Sequence, residues 1–443
     1  MSASEQFVSR VRDLYRYDAI QGHLGWDQET KMPPKGAGAR GEILAWIATQ
    51  SHNLLTDPKL GELISTLEEN DCDSWLTANV KEMRRKFDEA SKLPAEFVSE
   101  FTKTRSQALV AWKEARENND FDNFAPYLEK LIQMTNQKIE YLGCDTTPYD
   151  VLLDEYEIGM KVEDYDPLFS GLKQRLVPLL HSIMKSETVV PTLPEGIRFS
   201  ADEQEEFCLK VSRRMGFDFD AGRMDRSTHP FCAGLWPSDT RITTRFDEAD
   251  PFSCLYAVMH ESGHGLYEQG LPSEHSYTPV GRAVSLGVHE SQSRFWENQI
   301  GRTSAFWKVV LPWFKEHFPE CPDWDEEQLD LVANEVKPDF IRVEADEITY
   351  NLHIMLRYEI EKKIFNEGLP VHKIPETWNL MFEEWFGIKP PNDTLGCLQD
   401  IHWSMGAFGY FPTYTLGNLY AAQLLDAMSK DLGDINQIIE SGK

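Results

Sequence analysis

The sequence predicts a mainly α-helical protein with one small β element, and three observations predict it. Apolar residues recur at helical spacing, as in Phe7, Val11, Leu14 and Tyr15 and again in Phe124, Tyr127, Leu128, Leu131 and Ile132, the i, i+3, i+4 rhythm that lays one apolar stripe along a helix. Helix starts are punctuated by Ser, Asp or Thr followed by Pro or an acid, as at Asp250-Pro251, residues that satisfy or dispense with the unpaired N–H groups of a first turn. Strand-like alternation is rare, and its best instance is Asp239 to Phe246, where Thr240, Ile242, Thr244 and Phe246 share one face.

Each element follows in order. At 443 residues the chain exceeds the size at which one hydrophobic core usually stops growing. It divides on this reading into a helical N-terminal lobe, residues 1–200, and a second lobe, residues 201–443, which can still act as one structural unit. The Pro- and Gly-rich stretches 32–38, 191–196 and 389–392 read as loops, because periodic helices resume directly after them. The strand at 239–246 borders the best helix of the second lobe. As an edge strand it would pair with an extended peptide; the alternative is an ordinary hairpin strand.

Composition excludes several classes. There are 44 Lys and Arg against 73 Asp and Glu, a net charge of −29, which repels nucleic acid and anionic membrane surfaces. The acids are spread along the chain, as solvated helix faces. No stretch approaches a membrane span, and residues 1–21 lack the continuous apolar run of a secretory signal. Seven cysteines, Cys72, Cys144, Cys208, Cys232, Cys254, Cys321 and Cys397, form no Cys-x-x-Cys pair, so neither a disulfide framework nor a thiolate metal site is expected and a reducing cytoplasm fits.

The chemistry concentrates in His260-Glu261-Ser262-Gly263-His264. Histidines four apart on a helix present both imidazoles on one face, within reach of one ion at about 2.0 to 2.1 Å. A carboxylate at Glu261 would stand beside that ion and take a proton from the water it activates, which is amide-hydrolysis chemistry. Context supports a helix: Asp250-Pro251 starts it, Leu255, Val258 and Met259 give it a buried face, and Gly270 ends it. The alternative is a structural pair of surface histidines. A third ligand must come from downstream, from His275, His289, Glu290 or Glu297. Residues 285–297 read as a second helix antiparallel to the first, and from them Glu290 is chosen, although either Glu290 or His289 can face the metal.

Two further regions suit a substrate. In Ile341-Arg-Val-Glu-Ala-Asp346, Arg342 and Asp346 stand at i, i+4, the spacing of a helix-surface ion pair; alternatively Arg342 enters the cleft and forks onto a peptide's terminal carboxylate. Residues 396–403 and 409–417 gather His402, Tyr410 and Tyr414 among glycines. There a tyrosine hydroxyl can stabilise an oxyanion with His402 assisting, unless the rings are plain core packing.

Taken together these segments resemble the carboxypeptidase Taq family of metallocarboxypeptidases. The resemblance runs from Trp26-Asp27-Gln28 and Met32-Pro33 through Tyr149 to Glu157, His229-Pro-Phe231, Asp239 to Thr243, the metal motif, His289-Glu-Ser-Gln292 and Ile341 to Asp346, to Gly396 to Trp403 and Gly409 to Tyr414. It implies a two-lobed helical metallopeptidase with a deep substrate groove, a zinc or cobalt ion, a homodimer, and removal of single C-terminal residues from peptides with broad specificity. By position, His260, His264 and Glu290 are then the ligands, Glu261 the general base and Arg342 the reader of the free carboxylate. His229, Asp239, Arg241, Gln399, Asp400 and His402 fall on family motif positions and take supporting roles. Members of that family continue some tens of residues past Lys443, so a C-terminal segment that covers the region around 410–418 is expected to be missing. An oligopeptidase or dipeptidyl carboxypeptidase of the same metal-site class is the nearest rival, and an inactive, metal-stabilised peptide binder the rival of another class.

Overall fold

The computed structural model describes residues 1–442. Its helices are α1 (Ala3–Thr30), α2 (Ala37–Leu55), α3 (Pro58–Glu68), α4 (Ser74–Lys92), α5 (Ala95–Asn118), α6 (Phe121–Leu142), α7 (Pro148–Asp154), α8 (Val162–Ile183) and α9 (Ala201–Met215), followed by the strands β1 (Gly222–Arg226), β2 (Phe231–Trp236) and β3 (Asp239–Thr244). Then come α10 (Pro251–Gln269), α11 (Leu286–Arg294), α12 (Ser304–His317), α13 (Glu326–Ala333), α14 (Glu347–Glu367), α15 (Ile374–Phe386), α16 (Pro412–Leu432) and α17 (Ile435–Glu440). No helix among the described residues is long and apolar enough to cross a membrane. The expected mainly helical fold with a small β element is therefore present.

The helix starts obey local chemistry. Asp57, Asp73, Ser200, Asp250, Ser285, Thr303 and Asp346 each cap a first turn by accepting a backbone N–H. At the other end of α14, Gly368 takes φ +72°, the left-handed turn that an L side chain resists.

Three large buried clusters hold the helices together. The largest draws on both sides of residue 200, joining aromatic and aliphatic residues of α5 to α8 with those of α14 to α16, among them Tyr149, Tyr358, Trp378 and Phe411. A second unites α9, α10, α12, α13 and α17 around Phe207, Trp307 and Phe314. The third closes α1 on α3 and α4 through Phe7, Val11, Leu60, Ile64 and Met83.

The sheet corrects one expectation. β3 does not lie at an edge: it is the middle strand, parallel to β1 and antiparallel to β2. Both rows of its backbone groups are occupied, so no peptide can add to it. The predicted alternation holds for Thr240, Ile242 and Thr244, which are buried, and Ile242 lies against Gly265 of α10. The strand ends at Thr244, and Phe246 turns instead onto Cys208, Cys254 and Val258.

Candidate metal centre and its surroundings

α10 is the predicted helix, capped by Asp250 and closed at Gly270. His260 and His264 lie one turn apart on it, ring centroids 4.8 Å from each other. Opposite stands α11, where Glu290 places Oε2 3.6 Å from Nε2 of His260 and 3.4 Å from Nε2 of His264. The three donor atoms all lie within 4.8 Å of one another. Of the two neighbours left open by the spacing, Glu290 faces the histidines. His289 stands behind His264, its Nδ1 2.6 Å from Nδ1 of that ring and its Nε2 2.8 Å from Glu268. His275 lies apart, in the short turn Ser273–His275 beside Trp75.

Main-chain contact sets this spacing. A Cβ on Gly263 would come within 2.6 Å of the Gln292 carbonyl oxygen, and one on Gly417 of α16 within 2.5 Å of Glu290 Cγ. α11 is thus wedged between α10 and α16 with no room for a methyl group on either side. Glu157, at the end of the 149–157 segment, accepts the Gly287 N–H at 3.0 Å and fixes the first turn of α11.

A second layer aims each donor. Nδ1 of His260 donates to Glu297 Oε2 at 2.8 Å, and Nδ1 of His264 to the His289 carbonyl at 3.1 Å. Both Nε2 lone pairs are thereby turned inward. Arg294 donates through Nε to Glu290 Oε1 at 2.9 Å and through Nη1 to Glu297 at 3.0 Å, leaving Glu290 Oε2 toward the histidines. Glu290, Arg294 and Glu297, at i, i+4 and i+7, occupy one face although the helix widens to a π-turn over Phe295–Ile300.

The electrostatics suit a cation. Burial pulls His260 down, but the Glu290 and Glu297 carboxylates outweigh it and hold it up at about 9. Burial takes His264 down to about 4. Burial, against the pull of His260 and with the repulsion of Glu290 and Glu297, lifts Glu261 to about 7. Glu261 Oε2 is buried without a hydrogen-bond partner among the described residues, an orphan that a site built for an ion and water would satisfy. The N, N, O donor set and the inward lone pairs fit a divalent metal such as zinc or cobalt.

Arg342 departs from the helix-surface reading. It sits in the turn Arg342–Glu344, 6% exposed, while Asp346 caps α14 by accepting the N–H groups of Ile348 and Thr349 at 2.9 Å. With Ile341 and Ala345 extended on either side of the turn, no α-helix spans 342–346 and no i, i+4 pair forms. Its partner comes from elsewhere: Nε donates to Asp400 Oδ1 at 2.9 Å, and Asp400 Oδ2 accepts Nε of the fully buried Arg357 at 2.6 Å. The two guanidinium groups outweigh burial and hold the Asp400 carboxyl well below the usual range. The Gln399 amide is spent on the same turn, accepting the Arg342 N–H at 2.8 Å and donating to the Phe340 carbonyl at 2.8 Å. Gln399 and Asp400 therefore hold Arg342 in place.

Tyr350, which sequence reasoning missed, joins the two groups. Its hydroxyl accepts Nη1 of Arg342 at 3.3 Å, and Arg294 lies over its ring at 4.4 Å. Tyr414 packs against Tyr350 and Tyr410, with Arg342 5.2 Å from its ring centre. His402 Nε2 stands 3.4 Å from the Tyr414 hydroxyl, and burial pushes that imidazole down to about 4. Burial raises the Tyr410 phenol, and the nearby Glu290 carboxylate adds to the shift. The only signal for Tyr350 was its place one turn after the Asp346 cap.

The remaining motif residues lie on the sheet. Arg241 is forked onto Asp239 at 2.8 and 3.0 Å and stacks 4.2 Å over Trp26. His229 is exposed between β1 and β2. Among the described residues these three share no hydrogen bond with the ligand cluster or the Arg342 group.

Comparison with known proteins places the chain in a family. The family model described as carboxypeptidase Taq (M32) metallopeptidase matches residues 6–443. Thermostable carboxypeptidase 1 of Thermus thermophilus is 40% identical over 99% of this chain and 89% of its own length, and carboxypeptidase 1 of Bacillus subtilis 38% identical over 99% and 88%. A solved structure of Pyrococcus furiosus carboxypeptidase superposes with a TM-score of 0.97 at 37% identity, covering 100% of this chain and 90% of that one. Metallocarboxypeptidase 1 of Trypanosoma cruzi gives a TM-score of 0.95 at 37% identity, covering 99% and 90%.

Proposed function

The chain belongs to the carboxypeptidase Taq (M32) metallopeptidase family and is a metallocarboxypeptidase, and from that premise we propose which of its residues do the work. His260, His264 and Glu290 hold one divalent ion, zinc or cobalt. Bound there, such an ion would supply Lewis acidity for amide hydrolysis. Glu261, buried beside the ligands with an oxygen unpartnered among the described residues, is placed to take a proton from the attacking water and to hand it to the leaving amine. Arg342 reads the free C-terminal carboxylate. Its Nε is committed to Asp400 and its Nη1 to Tyr350, which leaves Nη2 to the substrate.

Tyr410 and Tyr414, between Arg342 and Glu290, stand where a phenol can donate to the oxyanion, and neutral His402 steadies Tyr414. His229, Asp239 and Arg241 contribute from the sheet side to the walls of a substrate groove. The substrates are peptides with a free C-terminus, cut one residue at a time with broad specificity. A homodimer in the cytoplasm completes the reading, by analogy with the family and from the free cysteines.

The observation that carries this reading is the convergence of three ligand atoms, linked through Arg294 and Tyr350 to a buried arginine whose Nη2 has no hydrogen-bond partner among the described residues. The test is mass spectrometry of an N-blocked peptide, as free acid and as amide, with zinc- or cobalt-loaded protein and a chelated control. Loss of single residues from the free acid alone is expected. Dipeptides or internal fragments would replace the reading with an oligopeptidase, and no product with metal retained would leave a peptide binder.

A further inference from the structure

Outside the ligand cluster and the Arg342 group, one ionisable side chain is wholly buried among donors that no step of the reaction uses. Glu361, on α14, is 0% exposed. Its Oε2 accepts the Tyr149 hydroxyl at 2.7 Å and the Gly409 N–H at 2.8 Å, and its Oε1 accepts Trp403 Nε1 at 2.8 Å. Trp403 follows His402, and Gly409 precedes Tyr410. One carboxylate thus ties down both ends of the stretch 403–409 and the first turn of α7.

The neighbours leave this stretch no alternative path. Gly409 has φ +88°, and a Cβ there would lie 2.5 Å from the Leu152 carbonyl oxygen, so the main chain rests directly on α7. From the same segment Tyr156 packs edge-on against Tyr410, 5.1 Å between centroids at 72°. Only a carboxylate suits the position, because a carboxamide has one accepting oxygen while three donors arrive from three elements. Keeping it is costly: among the described residues it makes no ion pair, and burial, against the pull of its three donors and of the Arg357 charge, pushes its pKa up to about 7. A well-packed apolar residue would hold the core without that cost.

We infer that Glu361 is a positioning residue for the reaction, acting through the Gly409 N–H to fix where Tyr410 points. This assigns the Tyr149–Glu157 segment a task as the wall behind the tyrosines, and it rests on the reading that Tyr410 serves the oxyanion. Without the carboxylate the 403–409 stretch loses its anchor, and Tyr410 samples positions from which its hydroxyl misses the carbonyl oxygen.

The test is a double-mutant cycle on an N-blocked dipeptide, with Glu361→Gln, Tyr410→Phe and the pair combined, and Tyr149→Phe as a milder variant that removes one donor. Glu361→Gln should lower kcat about tenfold or more with KM and metal content within about twofold, the signature of lost orientation. The double variant should be no slower than Tyr410→Phe alone. Unchanged kcat in Glu361→Gln, or losses that multiply in the double variant, would overturn the inference while leaving the Tyr410 assignment standing. Full activity in Tyr410→Phe would remove that assignment and the inference with it. Should Glu361→Gln fail to fold, Tyr149→Phe carries the same cycle, with a loss of a few-fold that Tyr410→Phe must mask.

Discussion

The two halves of the candidate site are built by opposite means. The ligand half comes from α10, α11 and the π-turn that continues α11, and the groups that aim the ligands stand on those same elements: Glu297 for His260, Arg294 for Glu290. The carboxylate-reading half has one nearby partner, Tyr350, and leans otherwise on distant stretches of chain. Arg342 sits in a turn, and what holds it comes from Gln399 and Asp400, about sixty residues on, with Arg357 balancing the charge from α14. The first half can be assembled by forming helices and docking them; the second exists only when the whole core has closed. Activity should therefore be lost through metal in one half and through stability or substrate affinity in the other.

That contrast can be broken by experiment, beginning with the largest effect. Chelation, or His264→Ala, should cost about 10³-fold or more, since an ion at this position supplies several kcal/mol. Zinc or cobalt should restore the chelated wild type and not the variant, and a variant of unchanged melting temperature would confirm that the ligand half is separable from the fold. Glu261→Gln should lower kcat by about 10² to 10⁴-fold, the range of a lost general base, with metal content intact by elemental analysis.

Asp400→Asn should act on stability first, by about 3 to 5 kcal/mol in denaturant titration, because it leaves two buried guanidinium groups without their carboxylate. A fully stable variant would show that the second half is not tied to the core as described. Arg342→Lys should reduce kcat/KM for free-acid peptides by about 10²-fold, the ~3 kcal/mol of a charge-assisted pair, and leave metal content alone. Equal loss on an amidated peptide would end its role as carboxylate reader. The smallest change belongs to exposed His229: His229→Ala should raise KM by about threefold to tenfold, one hydrogen bond's worth, with kcat unchanged.

The same contrast governs what the sequence could reveal. The i, i+4 histidines, the Asp250 cap and the closing Gly270 mark the metal helix without any tertiary knowledge. Choosing between His289 and Glu290 was harder: successive helical residues differ by about 100° in direction, and only the wedging of α11 by Gly263 and Gly417 decides which points inward. Arg342 and Asp346 mimic a helical pair because their spacing is right, whereas the backbone is a turn followed by a cap. β1 was invisible, since Gly-Arg-Met-Asp-Arg carries little strand character, and without it β3 looked like an edge. Glu361 lies in a charge-rich run, Tyr358-Glu-Ile-Glu-Lys-Lys363, which reads as solvated surface. Long-range packing alone places it inside.

Gly263, the residue before the second histidine of the motif, touches the main chain of α11 with nothing in between. A gauge made of backbone has no soft intermediate setting, because side chains can swing aside and carbonyl oxygens in a hydrogen-bonded helix cannot. On warming, the ligand triangle should not loosen by degrees; it should keep its dimensions until α10 and α11 part, and the ion should escape only at the temperature where those two helices separate.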